Sequence, residues 1–193
     1  MIYRERPDDI RRLFPELPTV TSERLLLRPL TASDAADLRG LTEEEVVYRY
    51  EPTFLFEKQY SDPEETIRRM YDEAMKESLI LGIFMEERFR GLFEVYSYKA
   101  WIHKASIGYR LKQEAWGKGI ATEALGCMKE ELIGERGIRI LTASTMLQNH
   151  ASAHVLEKNG FKRVKHPVEE DWGFPEPMIA DKWIKAGRRT RRI

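Results

Sequence analysis

One stretch of the 193 residues decides the fold: IGYRLKQEAWGKGIATEA, residues 107–124. It predicts a strand that ends near Leu111, a turn in which two glycines flank a lysine, and a helix that follows the turn directly. Such a turn leaves backbone N–H groups without partners at a helix N-terminus, and these groups together with the helix dipole attract anions. We therefore expect a phosphate-bearing ligand at this turn, with Lys118 adding positive charge nearby.

Two common phosphate-binding patterns are absent from the chain. The Walker pattern G-x-x-x-x-G-K-[ST] does not occur, and the dinucleotide pattern G-x-G-x-x-G fails because Thr122 occupies the third glycine position. Nucleotide hydrolysis and hydride transfer therefore lose support. A glycine-lysine-glycine turn taken alone is also compatible with a tight turn that binds nothing.

Length and composition predict one domain with a filled core, since 42% of the residues are hydrophobic. The 32 basic residues balance the 32 acidic ones, so no net field draws the protein to nucleic acid or to an anionic membrane. No apolar run approaches the roughly 18 residues of a membrane helix, and no secretory signal is recognised, so we expect a cytoplasmic protein. The single cysteine, Cys127, excludes an internal disulfide and is interpreted as inert filler.

The residues around this stretch predict an α+β fold with a mixed sheet of six or seven strands and helices on both faces. The predicted strands are 23–30, 79–85, 89–98, 105–111, 138–145, 161–165 and 177–185, and the predicted helices are 31–41, 63–77, 120–133 and 149–158. The inward face of the third helix is expected to consist of Ile120, Ala121, Ala124, Leu125, Met128 and Leu132. Residues 1–20 are expected to form a loosely packed arm, 21–185 the domain, and 186–193 a basic tail.

Three motifs in this order resemble the GNAT superfamily of acyl-CoA-dependent N-acetyltransferases, in particular the branch of the ribosomal-protein acetyltransferases RimJ and RimL. The motifs are TSERLLLRPL at 21–30, Gly108-Tyr109 followed by WGKGIATEA at 116–124, and NHAS at 149–152 leading to LEKNGF at 156–161. The resemblance covers residues 21–185. It implies the GNAT fold, in which the sheet is splayed open, and transfer of an acetyl group from acetyl-CoA to a primary amine.

The resemblance also implies where CoA binds. Its pantetheine arm would pair with the strand backbone as an added strand, and its pyrophosphate would lie on the glycine turn, where Trp116 replaces the arginine or glutamine of many relatives. The implied CoA contacts are Tyr109, Arg110, Leu111, Trp116, Gly117, Lys118, Gly119, Ile120, Ala121, Thr122, Asn149 and Lys158. Asn149 is alternatively the N-cap of the fourth helix, and one residue can do both.

Three residues carry the implied catalysis: Ser152, Glu94 and Asn149. Many relatives use a tyrosine as general acid to the CoA thiolate, but that position is Leu156, and in the RimJ and RimL branch a serine at the Ser152 position is thought to serve instead. Ser152 is alternatively a capping or helix-surface hydroxyl. Relatives often place a glutamate where this chain has Ser106, so Glu94 is the first substitute for the general base and His103 the second. A water-mediated mechanism is equally admissible.

The resemblance also implies that the acceptor amine enters between residues 42–60 and 169–177. Both segments are acidic and aromatic, which would suit a peptide α-amine, a polyamine or an aminoglycoside-like compound. The alternative is that these are a core plug and a solvated loop with Trp172 folded onto the core. The five positive charges of residues 185–192 could contact RNA, or that segment is a disordered tail.

Two further expectations concern metal and assembly. His150 and His154 have the spacing of a metal pair, but no third ligand is in phase, so no metal is expected. The chain is expected to be a monomer or a homodimer. The alternative to an enzyme is a non-catalytic acyl-CoA-binding sensor or interaction module, because the usual glutamate and tyrosine are both missing.

Overall fold

The computed structural model describes residues 7–187. Its eight strands form one sheet in the order β1-β2-β3-β4-β5-β6-β8-β7. The strands are β1 (Val20–Thr21), β2 (Leu25–Arg28), β3 (Ser78–Met85), β4 (Arg88–Lys99), β5 (Lys104–Leu111), β6 (Ile140–Met146), β7 (Lys162–Glu170) and β8 (Met178–Ala186). The α-helices are α1 (Ala35–Glu43), α2 (Pro63–Asp72), α3 (Ile120–Glu130) and α4 (His150–Lys158).

The helices cover both faces of this sheet because its central strands alternate their apolar side chains. In β3, Leu79 and Leu81 belong to one core cluster, and Ile80 belongs to the other. The first cluster is completed by α3 and α4, and the second by α1 and α2. The apolar face predicted for α3 is confirmed: Ile120, Ala124, Leu125, Met128 and Leu132 are buried, and Ala121 packs against them.

A gap opens between β5 and β6, the one parallel pair among the described strands. The two strands pair only from Lys104 to Ser106 on the β5 side, opposite Ile140 to Thr142. Beyond Ser106, β5 keeps its partner β4 and β6 keeps its partner β8, but the two strands no longer bond to each other. Alternate backbone groups of residues 107–111 therefore face an open edge inside the sheet. The splayed sheet expected from the sequence is confirmed.

The predicted α+β class and the mixed sheet are confirmed, with eight strands rather than six or seven because Val20 and Thr21 pair with Leu27 and Leu26. The second helix is shorter than predicted and ends at Asp72, followed by a 3-10 turn at Ala74–Lys76. The next-to-last strand is longer and reaches Glu170. No helix within residues 7–187 is long and apolar enough to cross a membrane.

The loose packing expected of the N-terminal arm is wrong for the part that the structure describes. Ile10, Leu13 and Phe14 belong to the main core cluster, and Ile10 and Phe14 are 0% and 1% exposed. The chain is also tied to the end of β4, since the Asp8 N–H donates to the Tyr98 carbonyl at 2.8 Å, and the Asp8 carboxylate accepts from the Ala100 N–H, just after β4, at 2.7 Å. Burial of apolar side chains offsets the entropy of ordering these residues. The division into three segments stays a prediction.

Candidate active site

The glycine turn before α3 exposes a row of backbone donors. Gly117 and Gly119 adopt the left-handed conformation at φ +72° and +76°, which glycine adopts without steric cost. Gly119 is the N-cap of α3 and offers no side chain as a cap. Among residues 7–187, no hydrogen-bond acceptor contacts the N–H groups of Gly119, Ile120, Ala121 or Thr122. These four donors at a positive helix end form a site for an anion such as a diphosphate.

Two residues between β1 and β2, Ser22 and Arg24, brace this turn, and sequence reasoning did not assign them a role. Arg24 forms an ion pair of 2.6 Å with Glu123 in the first turn of α3, and its guanidinium also donates to the Lys118 carbonyl at 3.3 Å. Ser22 Oγ donates to the same carboxylate at 2.7 Å. Burial opposes ionisation of Glu123, but the hydrogen bonds from Ser22 and Arg24 hold its pKa below the ordinary value. Glu123 therefore stays charged but neutralised beside the anion site.

Trp116 does not point at the anion site as its place in the motif would suggest. Its indole Nε1 donates to the Leu111 carbonyl at 2.9 Å, which folds the half-exposed ring back onto the end of β5. Lys118 is exposed and near the turn, and Ile120 is buried in the core, so only the backbone of Ile120 is available to a ligand.

A cavity of about 880 Å³ follows the gap between β5 and β6 and places the predicted catalytic residues together. Glu94, Tyr109, Asn149 and Ser152 all line it, whereas the glycine turn lies outside it. Asn149 caps α4 by accepting a hydrogen bond of 3.1 Å from the Ser152 N–H. The Ser152 hydroxyl forms no hydrogen bond with a described residue, and the Tyr109 hydroxyl donates to the Ser152 carbonyl at 3.4 Å. Burial raises the pKa of Tyr109 above its ordinary value, so that hydroxyl stays protonated.

The side chain of Arg110 organises one wall of this cavity, although sequence reasoning used only its backbone. Its guanidinium forms an ion pair with Glu57 through Nε and a second hydrogen bond of 2.7 Å through Nη2, and Nη1 contacts Glu94 at 3.0 Å. The side chains of Arg110 and Glu57 are 1% and 0% exposed. All three guanidinium nitrogens are occupied, so Arg110 is not free to bind a ligand, and its single positive charge offsets only one of the two negative charges.

Glu51 is an acidic residue of the cavity wall to which sequence reasoning assigned no individual role. It is partly buried, and its carboxyl group forms no hydrogen bond or ion pair with a described residue. Burial raises the pKa of Glu51 to about 8; nearby Arg110 opposes the shift, and Glu57 and Glu94 add to it. The only sequence signal was an acidic residue within the aromatic segment 42–60, and nothing in that segment predicts its distance from Arg110.

The two segments expected to flank the acceptor contact each other. The Thr53 N–H donates to the Trp172 carbonyl at 2.9 Å, and a Cβ on Gly173 would lie 2.1 Å from Thr53 Oγ1, so only glycine fits there. Trp172 is buried against Met146 and Ala180, as the alternative interpretation of that loop expected, and its side chain also lines the cavity. Because this contact between Thr53 and Trp172 joins the two segments, an acceptor would have to reach the cavity to one side of it.

Several residues singled out from sequence lie outside the cavity. His103 occupies the turn between β4 and β5, where its carbonyl accepts from the Arg139 N–H at 2.7 Å, and it does not line the cavity, which leaves it badly placed as a base. Lys158 is exposed at the end of α4, and the next residue, Asn159, is the one that contacts α3, at the Thr122 carbonyl. Burial raises the pKa of Cys127 to about 11, consistent with an inert thiol.

The last two features noted in the sequence are the histidine pair on α4 and the basic tail. Within residues 7–187, no group of three or more His, Cys, Asp or Glu side chains could hold a metal ion, and His154 lies 3.9 Å from Glu157. Lys185 and Ala186, expected at the start of the basic tail, belong to β8. The rest of that tail, residues 188–193, lies outside the described residues.

Comparison with known proteins gives consistent results. Residues 24–162 match the model of the acetyltransferase (GNAT) domain family. A probable N-acetyltransferase, YjcK of Bacillus subtilis (strain 168), is 29% identical over 146 residues, which cover 72% of this chain and 81% of that protein. The fold is similar to that of RimJ from Mycobacterium smegmatis in complex with a CoA disulfide (TM-score 0.76, 18% identity, 93% of this chain and 91% of that one). It is equally similar to RimL, the ribosomal L7/L12 α-N-protein acetyltransferase, in complex with coenzyme A (TM-score 0.76, 17% identity, 88% of this chain and 98% of that one).

Proposed function

This chain belongs to the GNAT family of acetyltransferases and is an N-acetyltransferase with acetyl-CoA as its co-substrate; we propose that its acceptor is a cationic primary amine, either a peptide α-amine or a small polycationic compound. The predicted family, the fold and the acetyl donor are thereby confirmed. The observation that carries the proposal for the acceptor is the acid-lined cavity of about 880 Å³ that opens from the gap between β5 and β6.

The charge of the cavity favours a cation. Six acidic side chains line it against four basic ones, and the pairs Arg110–Glu94 and Lys182–Glu170 remove two of each, which leaves four acidic side chains against two basic ones. One of these four, Glu51, has a pKa raised to about 8 and is only partly ionised at neutral pH. The acidic residues of the lining are Glu51, Glu73, Glu77, Glu94, Glu170 and Asp171. A protonated amine would therefore be attracted to the place where it has to react.

The open edge of β5 supports the proposed binding of acetyl-CoA at residues 107–111. A pantetheine arm that pairs with Tyr109, Arg110 and Leu111 would extend toward the four free N–H groups of Gly119–Thr122, which would hold the diphosphate. Asn149 and Ser152 line the same gap from α4. In this arrangement the thioester and the amine would meet inside the cavity.

The proposed reaction is direct attack. The neutral amine nitrogen forms a bond to the acetyl carbonyl carbon, a strand N–H of β5 stabilises the oxyanion, and the carbon–sulfur bond breaks. The Ser152 hydroxyl, which has no hydrogen-bond partner within residues 7–187, would donate a hydrogen bond to the departing thiolate. After the attack the nitrogen carries one proton too many and releases it, and the departing thiolate takes up one proton through the Ser152 hydroxyl, so that the products are the acetylated amine and CoA with a free thiol.

A thiol-release assay tests the acceptor. Acetyl-CoA is incubated with the protein and, in separate reactions, with peptides bearing a free α-amine, polyamines and aminoglycosides, and the same compounds with their amines acetylated serve as matched controls. We expect saturable release of CoA with at least one cationic amine and none with its acetylated form. Saturable binding of acetyl-CoA without release on any amine would overturn the proposal in favour of the acyl-CoA-binding sensor.

A further inference from the structure

We propose that Glu51, rather than Glu94, is the catalytic base that accepts the proton of the acceptor ammonium. The inference rests on the proposed function and adds the residue that sequence reasoning left undecided. It follows from the partners of the three carboxylates near Arg110. Glu57 and Glu94 form ion pairs with Arg110, whereas Glu51 forms no ion pair with a described residue.

The competing carboxylate, Glu94, is held by the protein. Its Oε2 accepts a hydrogen bond of 3.0 Å from Arg110 Nη1, and Arg110 in turn donates to the buried Glu57 carboxylate through Nη2 at 2.7 Å. To reach an acceptor nitrogen, Glu94 would have to give up its hydrogen bond with Arg110, which would leave the buried guanidinium short of one partner. Glu57 is inaccessible, since its side chain is 0% exposed and both of its oxygens contact Arg110.

Glu51 faces the same cavity without such a partner. It lies between the 3-10 turn at Glu45–Tyr48 and the one at Phe56–Lys58, and its carboxyl group bonds to no described residue. The groups that face it are Arg110 from β5, Glu57 and Tyr48 from the same segment, Glu94 and Tyr96 from β4, and Tyr109 from β5. The Tyr109 hydroxyl donates to the Ser152 carbonyl and also interacts electrostatically with Glu51, so Glu51 and Ser152 both lie near that hydroxyl.

The ionisation of Glu51 suits the role. Burial raises its pKa to about 8, whereas an unperturbed glutamate titrates at about 4.3 and an alkyl ammonium at about 10.4. The raised pKa brings the carboxyl much closer to the group whose proton it takes, which is what efficient general-base catalysis requires near neutral pH. The ammonium proton would pass to the Glu51 carboxylate, and the amine lone pair would then attack the thioester.

The test compares Glu51→Gln with Glu45→Gln, which removes the same charge from an exposed site in the same segment, outside the cavity. The amine that the wild type acetylates best is used. We expect Glu51→Gln to lower kcat about 100-fold without a change in the Kd of acetyl-CoA, and Glu45→Gln to stay within about twofold of the wild type. Glu51→Asp should retain part of the activity because it keeps a carboxylate.

The pH profile separates a base from a structural residue. Glu51 must be ionised to accept a proton, so the ratio of kcat/KM between wild type and Glu51→Gln should rise with pH and level off above about 8. Taking this ratio cancels the ionisation of the amine itself. A ratio that is flat with pH, or a kcat of Glu51→Gln within about threefold of the wild type, would overturn the assignment.

A measurement without turnover completes the test. In protein labelled with ¹³C at the glutamate carboxyl groups, the signal that is lost in Glu51→Gln should titrate near pH 8. Titration of that signal in the ordinary acidic range would contradict the proposal.

If the wild type acetylates no amine, the proposed function fails and the catalytic role fails with it. If it does acetylate amines but Glu51→Gln is unaffected, only the assignment of Glu51 fails.

Discussion

The glycine turn and the acidic cavity, the two halves of the proposed site, are formed by different parts of the polypeptide. The turn uses backbone N–H groups from consecutive residues, Gly119 to Thr122, and its shape follows from two glycines with positive φ. The cavity wall uses side chains from distant segments, such as Glu57 and Arg110, which are 53 residues apart in the chain. The first can be recognised from a short motif, whereas the second depends on the tertiary fold. The two halves should therefore respond differently to substitution.

The largest effect is expected in the cavity wall, on stability. Arg110→Met leaves the fully buried Glu57 without its partner and should lower the free energy of unfolding by about 3–5 kcal/mol, as measured by urea denaturation. The double variant Arg110→Met/Glu57→Met should recover most of this loss, because it removes both buried charges. A loss below about 1 kcal/mol for the single variant would mean that the buried pair does not organise the wall.

The next effect is expected at the glycine turn, on binding. Gly117→Glu places an anion against the proposed diphosphate site and should weaken acetyl-CoA about 100-fold in calorimetry, or about 2.7 kcal/mol. The matched control is Gly137→Glu, because Gly137 has almost the same φ, +70°, and similarly open space around its Cβ position, but lies outside the site. Equal affinities for the two variants would show that backbone strain, and not the anion site, explains any loss.

A smaller effect is expected where the two halves meet. Ser152→Ala removes the unpartnered hydroxyl and should lower kcat roughly 10- to 100-fold in the thiol-release assay, with the Kd of acetyl-CoA unchanged. The N–H and the carbonyl of Ser152 bond to Asn149 and Tyr109, and the alanine variant keeps both hydrogen bonds because they involve only the backbone of residue 152. An unchanged kcat would remove the general-acid role, and a parallel loss of affinity would indicate a binding role instead.

The smallest effect is expected at the brace of the turn. Arg24→Gln leaves the Glu123 carboxylate unneutralised beside the anion site and should raise the Kd of acetyl-CoA about threefold to tenfold at low salt, less at high salt. The double variant Arg24→Gln/Glu123→Gln should bind more tightly than the single one. The opposite order would show that Arg24 contacts the ligand directly instead of acting through Glu123.

The contrast between the glycine turn and the cavity wall also explains which parts of the fold can be predicted from the sequence. The order of strands and helices, the mixed sheet and the turn were predicted because each depends on local periodicity or on motifs with fixed spacing, whereas the splay of the sheet was implied by the family resemblance. The buried N-terminal residues were missed because their apolar side chains stand among charged residues and prolines without a clear period. Their packing is decided by a groove that forms only in the folded chain.

The roles of the acidic residues could not be predicted in the same way. Glu94 was chosen as the base because it lies on the strand next to Gly108, and that position is correct. Its ion pair with Arg110 depends on the side chain of a residue whose backbone alone had been considered. Glu51 differs from its acidic neighbours only in burial and in having no partner, and neither property is written in the local sequence.

The measurement that tests the central claim most directly is an amide NMR titration of the whole protein with CoA. We expect CoA to shift the N–H signals of Gly119, Ile120, Ala121 and Thr122 together with those of residues 107–111, and a cationic amine to shift those of the cavity wall around Glu51 and Glu94. If saturating CoA leaves the four turn amides unshifted, the turn is not the diphosphate site and the account of the active site is wrong.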